Sequence, residues 1–132
     1  MSSKKIILNS NKHFEIIDIT SMINREIDID SGIVNIFSRH STSAIVVNEN
    51  ESGLLDDLEV MLNDLVSDKY SWKHDRIDSN AKSHLKSFLL SSSETLPISG
   101  GKLDLGTWQS VFFIELDGPR KNRTVSLKFI SD

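Results

Sequence analysis

Short runs of β-branched and aromatic residues divide much of the chain into predicted strands. The runs KKIIL and HFEIIDI are joined by the turn-prone Asn9-Ser10-Asn11, which predicts a hairpin or a paired N-terminal element. The runs IVNIF and AIVV predict two further strands, one on each side of residues 39–43. Near position 100, ETLPI and KLDL flank a Ser-Gly-Gly turn, which predicts a hairpin with Pro97 in an edge strand.

The most apolar of the predicted strands is WQSVFFIEL, at residues 108–116. Its odd and its even positions are both largely apolar, so both faces of the strand must be covered. This pattern predicts a central strand, or a strand with helices on one face and an oligomeric partner on the other. With RTVSLKFI on the far side of DGPRKN, it also predicts a long hairpin.

Apolar residues at helical spacing predict three helices. The first begins near Thr20 and ends near residues 30–32, the longest covers residues 52–67, and the third begins near Asn80 with Ser79 as its cap. The predicted inward positions are Ile19, Met22, Ile23 and Ile27 in the first helix, Leu54, Leu58, Met61 and Leu65 with Leu55, Leu62 and Val66 in the longest, and Ala81, Leu85, Phe88 and Leu89 in the third.

Length and composition limit the class of protein. The 132 residues fit a single domain over 1–132, and 38% hydrophobic with 26% charged residues is typical of a globular protein. The absence of cysteine excludes disulfides, a thiolate nucleophile and cysteine-rich zinc sites. The net charge of -4 argues against nucleic-acid binding, with PRKNR as a local basic exception. Since no signal-like or membrane-spanning stretch is present, we expect a cytoplasmic protein that does not bind membranes.

Three histidines lie where side chains from different elements can converge on one cleft. His40 follows a predicted strand, His74 lies in a polar loop, and His84 stands one turn after Asn80 on a helix. Three neutral imidazoles would suit zinc or another divalent metal. The alternative is three unrelated histidines, and the spacing alone favours it because no short metal-binding signature is present.

Two polar segments are further candidates for a site. Glu49 and Asn50 lie between a strand and the longest helix, at a position typical of an active-site rim or, equally, of helix capping by Asn50 or Ser52. In DGPRKNR, Arg120 follows Asp117 in a turn and is suited to bind phosphate or carboxylate, the alternative being a solvated hairpin tip.

The order of several motifs resembles the YjbQ-like family of small proteins, often labelled secondary thiamine-phosphate synthases. The motifs are RHSTSAIVVNEN, WKHDRIDSNAKSHLKSFLLSSS and LDLGTWQSVFFIELDGPR, and the resemblance covers roughly residues 5 to 130. Three residues depart from the family pattern: Ser79 and Ser91 stand where glycine is usual, and Ser41 stands where threonine is usual. The residues that match the pattern are His40, Thr42, Ser43, Ala44, Asn48, Glu49, Asn50, His74, Asn80, Ala81, His84, Leu85, residues 105–109, Glu115 and residues 117–120.

The resemblance implies an α+β fold, an antiparallel β-sandwich with two to three helices packed on it, and assembly as a homotrimer. It also implies a divalent metal (Zn, or Mg or Mn) near the histidines, with His40, His74 and His84 as its ligands.

The family label further implies a reaction that joins a hydroxymethylpyrimidine diphosphate to a thiazole phosphate and releases pyrophosphate. In that reaction the metal would polarise the diphosphate, Arg120 would bind phosphate charge, and Glu49 or Asp117 would position a nucleophile or orient a ligand. The alternative is a non-catalytic trimeric protein that binds a small anion or metal in its cleft. The substrate contacts expected on the family pattern are Thr42, Ser43, Asn50, Asn80, Thr107 and Gln109.

Overall fold

The chain forms eight strands and three α-helices, and the computed structural model describes residues 2–132. One turn of 3₁₀ helix, Lys73–Arg76, precedes the last helix. The strands are β1 (Ser2–Leu8), β2 (Glu15–Asp18), β3 (Gly32–Ser38), β4 (Ser43–Glu49), β5 (Ser93–Ser99), β6 (Lys102–Leu103), β7 (Gln109–Glu115) and β8 (Arg123–Ser131), and the helices are α1 (Thr20–Glu26), α2 (Ser52–Leu65) and α3 (Ala81–Leu90).

The strands form two antiparallel sheets. One sheet has five strands in the order β1-β8-β3-β5-β6, and the other has three in the order β2-β7-β4. Buried side chains from both sheets belong to one hydrophobic cluster, so the sheets pack face to face as a sandwich. The predicted α+β class is therefore confirmed.

Strand β7 is the central strand of the smaller sheet, as its two apolar faces predicted. Val111 and Phe113 belong to the cluster between the sheets, whereas Phe112 and Ile114 pack with Leu55 and other apolar side chains of the helices. Because successive residues of a strand point to opposite faces, one strand supplies both clusters. The helices α2 and α3 therefore cover the outer face of the smaller sheet.

Two predicted hairpins are wrong. β1 pairs with β8 and β2 pairs with β7, so the segment around Asn9 crosses from one sheet to the other. The segment between β7 and β8 makes a second crossing of this kind. Neighbouring strands in a sandwich often belong to different sheets, and the local sequence does not show which sheet a strand joins. The β5–β6 hairpin is confirmed, and Pro97 lies outside the short stretch of β5 that β6 pairs.

Helix α2 buries a different stripe from the one predicted. Leu62 and the following Val66 are buried, whereas Leu54, Met61 and Leu65 are exposed. The exposed residues and the buried ones are neighbours on the helix, so the apolar stripe is wider than the contact with the sheet. The result is an exposed apolar edge along α2.

Helix α3 packs through small residues. Ala81 and Ser83 are buried, but Phe88 and Leu89, predicted to point inward, are exposed. The Ser83 hydroxyl donates a hydrogen bond to the carbonyl of Leu116, directly after β7, at 2.6 Å. The Ser87 hydroxyl donates to the carbonyl of Ser43, at the start of β4, at 2.6 Å. The close approach that these bonds require leaves Phe88 outside the contact.

The helix ends also differ from the predictions. Helix α1 ends at Glu26, several residues before the predicted end, and the side chain of Thr20 donates to Asp18. Ser79 and Ser91, which flank α3, have φ angles of 57° and 75°. Positive φ is costly for any residue with a Cβ, and glycine tolerates it best. These are the two positions where the resemblance predicts glycine. Within residues 2–132, no helix is long and apolar enough to cross a membrane.

Candidate functional site

The predicted site residues lie at the two ends of the three-stranded sheet. In the register of β4 and β7, Ser43 lies opposite Glu115 and Glu49 lies opposite Gln109. At the usual rise per residue, these two pairs are about 20 Å apart. The histidine end comprises His40, Thr42, Ser43, His74, Asn80, His84, Asp117 and Arg120, and the Glu49 end comprises Glu49, Asn50, Thr107 and Gln109.

A polar cavity of about 410 Å³ opens at the histidine end. Its walls come from the loop after β3, the start of α3 and the segment between β7 and β8. Three cationic side chains and two carboxylates contribute to it. The lining residues are His40, Ser41, Thr42, Asp78, Asn80, His84, Asp117, Arg120, Lys121 and Arg123.

A buried ion pair lies beneath this cavity. Glu115 is fully buried, and its carboxylate accepts hydrogen bonds from Nε of Arg123 at 2.9 Å and from Nη2 at 2.5 Å. The same Nη2 donates to the hydroxyl of Thr42 at 2.9 Å. Burial alone raises the pKa of Glu115, but the hydrogen bonds from Arg123 and Ser10 outweigh it, so the pKa lies below its ordinary value.

The Glu115 carboxylate also fixes the turn that carries Asp117 and Arg120. The Asp117 amide donates to Glu115 Oε2 at 3.1 Å, and the Ser10 hydroxyl donates to Oε1 at 2.6 Å. The Ser10 hydroxyl in turn accepts the Arg120 amide at 2.8 Å. The turn is therefore held by hydrogen bonds to buried groups and is not a freely solvated tip.

The Asp117 carboxylate connects the turn to α3. Its Oδ2 accepts from the Asn80 side chain at 2.9 Å and from Nη2 of Arg120 at 2.9 Å. His13, in the segment between β1 and β2, places Nδ1 3.9 Å from Oδ1 of Asp117. Burial alone would raise the pKa of Asp117, but the hydrogen bonds from Asn80 and Arg120 outweigh this effect. The pKa therefore lies below its ordinary value, and this carboxyl is ionised at neutral pH.

Two of the three histidines are neighbours. The rings of His74 and His84 meet edge to face, with their centroids 4.7 Å apart. Nε2 of His74 lies 3.0 Å from the side-chain oxygen of Asn80, so that Asn80 links His74 to Asp117.

The third histidine, His40, has a separate environment. Its Nε2 accepts the Thr124 backbone amide at 2.8 Å, so this nitrogen is occupied and the proton of the neutral ring lies on Nδ1. Burial, with the nearby Arg123 guanidinium, lowers the pKa of His40. His40 is therefore a neutral imidazole at physiological pH.

The donor set does not form a metal site within one chain. Among residues 2–132, no three His, Asp or Glu side chains are placed to hold a metal ion. His74 and His84 are adjacent, but Nε2 of His40 is directed at the backbone of β8. Metal binding by this trio stays a prediction.

The Glu49 end is built differently. The side chain of Gln109 accepts the Gly106 amide at 2.9 Å, and Asn50 donates to Asp18 at 2.9 Å. Glu51, and not Asn50 or Ser52, caps α2 by accepting the amides of its first turn. Thr107 is exposed, and so is Trp108, with 72% of its surface accessible. Gln109 and Glu51 therefore satisfy local backbone groups, whereas Asn50 connects the end of β4 to Asp18 at the end of β2.

A groove of about 270 Å³ lies beside Glu49, between β4 and α2. Its walls are mostly apolar, and the polar groups on it are Glu49, Asn48 and Asp57. The groove carries no cationic side chain. It is thus unlike the cavity at the histidine end and unsuited to an anion.

The contacts among Ser10, Glu115 and Arg123 were not predicted from the sequence. A signal for Glu115 was present in the alternation of β7, because Glu115 continues the inward positions Val111 and Phe113. A carboxylate on a buried face requires a cationic or hydrogen-bonding partner. The partner could not be identified from the sequence, since Arg123 lies on a strand of the other sheet.

Comparison with known proteins identifies the family. The profile of the family described as "UPF0047 protein YjbQ-like" matches residues 4–132. The chain belongs to the YjbQ-like family. The resemblance seen in the motifs is thereby confirmed over nearly the whole chain.

Members of the YjbQ-like family resemble the chain in sequence and in structure. A UPF0047 protein of Methanothermobacter thermautotrophicus is 52% identical over 92% of this chain and 87% of its own length. The UPF0047 protein YugU of Bacillus subtilis is 32% identical over 96% of this chain and 98% of its own. The crystal structure of a YbjQ-like protein of unknown function from Sulfolobus solfataricus P2 superposes with a TM-score of 0.94 at 37% identity, over 99% of this chain and 97% of that chain.

Proposed function

We propose that the protein binds a small phosphorylated molecule in the polar cavity at the histidine end. The observation that supports this most directly is the meeting of Arg120, Lys121 and Arg123 with neutral hydrogen-bonding side chains around one opening. Guanidinium and ammonium groups bind phosphate through charge-assisted hydrogen bonds. Arg123 is buried in its ion pair with Glu115, whereas the Arg120 side chain is 53% exposed beside Asp117, so Arg120 and Lys121 are the proposed charge contacts.

The surrounding network supports a preorganised site. Arg120 donates to the Asp117 carbonyl through Nε and to its carboxylate through Nη2, which holds the guanidinium in place. Fixed donors bind an anion at a lower cost in conformational entropy than free side chains do. His84 and Asn80 line the same cavity and supply further polar contacts.

Binding of inorganic phosphate and pyrophosphate, measured by isothermal titration calorimetry, tests this proposal. We expect Arg120→Gln to weaken binding by about tenfold or more, as for the loss of one charged hydrogen bond. Arg25→Gln is the matched control, because Arg25 is an exposed arginine on α1. Equal affinity of the two variants, or no binding by the unmodified protein, would contradict the proposal.

Catalysis on the bound molecule is a second proposal. Hydrogen bonds connect His74 to Asn80 and Asn80 to Asp117, and they fix an imidazole near the cavity. Such an arrangement suits acid–base chemistry. The named candidate is the thiamine-phosphate synthase reaction with a divalent metal. Product formation from the pyrimidine diphosphate and the thiazole phosphate, assayed with and without Zn, Mg and Mn, tests it. Elemental analysis of the protein beside His40→Ala, His74→Ala and His84→Ala tests the metal separately.

We also propose a homotrimer in the cytoplasm. The exposed apolar edge of α2 at Leu54, Met61 and Leu65 supports an oligomer because such edges are commonly covered in protein assemblies. Light scattering coupled to gel filtration should give three times the chain mass. Met61→Glu should lower that mass, whereas Ile7→Glu, an exposed apolar position on β1, serves as the control. A monomeric unmodified protein would exclude the trimer.

A further inference from the structure

One large surface of the molecule, the outer face of the five-stranded sheet, is open to solvent. Successive residues of a strand point to opposite faces, so the residues of β1, β3 and β8 that alternate with the buried ones point outward. Four apolar residues at these outward positions keep between 41% and 65% of their surface exposed: Ile7, Ile33, Phe37 and Ile130. The rest of the chain therefore leaves this face accessible to a partner.

The outer face is cationic, although the chain has a net charge of -4. Lys5 and Lys128 are exposed on it, and Arg39 occupies the next outward position after β3. No strand of this sheet places Asp or Glu at an outward position. Within residues 2–132 these three cations form no ion pair, whereas Lys4, on the inner side of β1, lies 3.5 Å from the Asp28 carboxylate. The outer face is thus suited to an anionic partner.

The net charge does not reveal this face because the charges are segregated along the chain. Residues 49–68, which include α2, contain seven carboxylates and no lysine or arginine. The remaining residues therefore carry a net positive charge. Helix α2 packs on the smaller sheet, on the other side of the sandwich from the outer face. The argument against nucleic-acid binding that was drawn from the net charge does not apply to this face.

An exposed aromatic ring, that of Phe37, lies among the cations. Phe37 is paired with Ser126 of β8, and Lys5 is paired with the same serine from β1. Lys128 lies two residues farther along β8 on the same face, and Arg39 lies two residues farther along the chain from Phe37. At the usual strand spacing and rise, the Cα atoms of the three cations are about 7–10 Å from that of Phe37. Long cationic side chains can therefore surround a group that stacks on the ring.

Polar side chains complete this part of the face. A hollow of about 270 Å³ opens here, and Asn35 lines it together with Phe37 and Lys128. The Asn35 side chain donates to the Thr95 hydroxyl at 3.1 Å, which orients its amide. This polar row separates Phe37 from Ile33, so the exposed apolar residues do not form one continuous patch. The face is therefore better suited to a polar anionic chain than to insertion into a membrane.

We propose that the outer face of the five-stranded sheet binds single-stranded nucleic acid, with a base stacked on Phe37 and backbone phosphates bound by the cations around it. An aromatic ring on an open sheet can stack on any base, and neighbouring cations bind the backbone. Asn35 and the nearby hydroxyls can donate hydrogen bonds to sugars and base edges. A duplex keeps its bases stacked on one another and cannot use the Phe37 ring. The proposal does not depend on the anion site at the histidine end.

Fluorescence anisotropy with a labelled oligouridine of about 12 nucleotides tests the proposal. A duplex of the same length and vesicles that contain phosphatidylserine are measured beside it. We expect the single strand to bind more tightly than the duplex. If three phosphates are contacted, the logarithm of its affinity should fall against the logarithm of the salt concentration with a slope of about -2.

Substitutions separate stacking from charge. Phe37→Ala should weaken oligouridine binding roughly tenfold, as for the loss of one stacked base, and should leave the salt dependence unchanged. Phe37→Tyr keeps an aromatic ring and should keep the affinity. Lys128→Gln should make the salt slope shallower by about 0.7. Phe88→Ala is the matched control, because Phe88 is an exposed phenylalanine on α3, away from this sheet, and it should bind like the unmodified protein.

Several results would overturn the proposal. They include no binding of oligouridine by the unmodified protein, and equal affinity of Phe37→Ala and the unmodified protein. Binding to the vesicles without binding to oligouridine would assign the face to membranes instead. A loss of oligouridine affinity in Arg120→Gln, with none in Phe37→Ala, would place the strand in the polar cavity. Inorganic phosphate binding is measured separately, so a failure here leaves the proposed function untouched.

Discussion

The two ends of the three-stranded sheet carry similar residue types in different arrangements. At the histidine end, Glu115 is fully buried, and hydrogen bonds connect it to Arg123, Ser10 and the turn at Asp117. At the Glu49 end, Glu51 caps a helix that begins at the surface. The hydrogen bonds of Glu115 join distant parts of the chain, whereas those of Glu51 satisfy the backbone amides of residues next to it.

This difference shows why motif residues need not share a role. At the Glu49 end, Gln109 and Glu51 accept hydrogen bonds from amides within three residues, whereas at the histidine end Asn80 connects His74 in the 3₁₀ turn to Asp117 after β7. Groups from separate elements that converge on a cavity are typical of a binding site. The ligand contacts predicted for Thr107 and Gln109 stay predictions, since these residues lie at the opposite end of the sheet from the polar cavity.

The largest contrast between the two ends is expected from removal of a carboxylate. Glu115→Ala leaves Arg123 buried without its partner and should reduce the free energy of unfolding by about 3–5 kcal/mol. The same change at Glu49 should cost less than about 1 kcal/mol. Urea denaturation followed by circular dichroism measures both values.

A double variant keeps this test informative if Glu115→Ala fails to fold. Glu115→Leu combined with Arg123→Met removes both charges and should be more stable than Glu115→Ala alone. Equal losses of stability at Glu115 and Glu49 would remove the distinction between the two ends.

The backbone at the histidine end offers a change of the opposite sign. Ser91 has φ 75° and ψ 162°, a region that glycine occupies almost exclusively. Ser91→Gly should therefore raise the free energy of unfolding by about 1–2 kcal/mol. Ser92→Gly, at a neighbouring position without positive φ, should lower it. Thermal unfolding distinguishes the two, and a destabilised Ser91→Gly protein would show that the positive φ is not a source of strain.

A smaller effect is expected at the start of α2. Glu51→Ala removes the acceptor for the Gly53 and Leu54 amides and should cost about 1 kcal/mol of stability. Glu51→Asp retains a carboxylate at the cap and should recover part of the loss. Ligand affinity at the histidine end should be unchanged in both variants, because the cap is local to the Glu49 end. A change in phosphate affinity would contradict this expectation and would show that the two ends are coupled.

The smallest expected effect is the pH dependence due to His40. Because burial and Arg123 lower its pKa in the folded state, the unfolded chain binds more protons at pH values just below the ordinary pKa of about 6.5. Stability should therefore fall as the pH is lowered through this range and level off below the folded pKa. His40→Gln should show a weaker dependence between pH 7.5 and 5.5. Parallel pH profiles would contradict the assigned environment of His40.

The local elements and the family could be predicted from the amino-acid sequence. Runs of β-branched and aromatic residues identified β3, β4 and β7, and the two apolar faces of β7 correctly predicted its central place. The ordered motifs identified the YjbQ-like family and its α+β fold. These features depend on neighbouring residues or on a long pattern along the chain, so they can be read without coordinates.

The strand pairing and the contacts between distant polar residues became known from the folded structure alone. The sheet crossings at Asn9 and after β7 separate strands that the turns had suggested were hairpins. They also bring Ser10, Glu115 and Arg123 together, although these residues are up to 113 positions apart. The width of an apolar stripe does not reveal how much of it is covered, which is why Met61 and Phe88 were misplaced. Burial and long-range pairing are properties of the packed chain, and they define the cavity where we propose that the ligand binds.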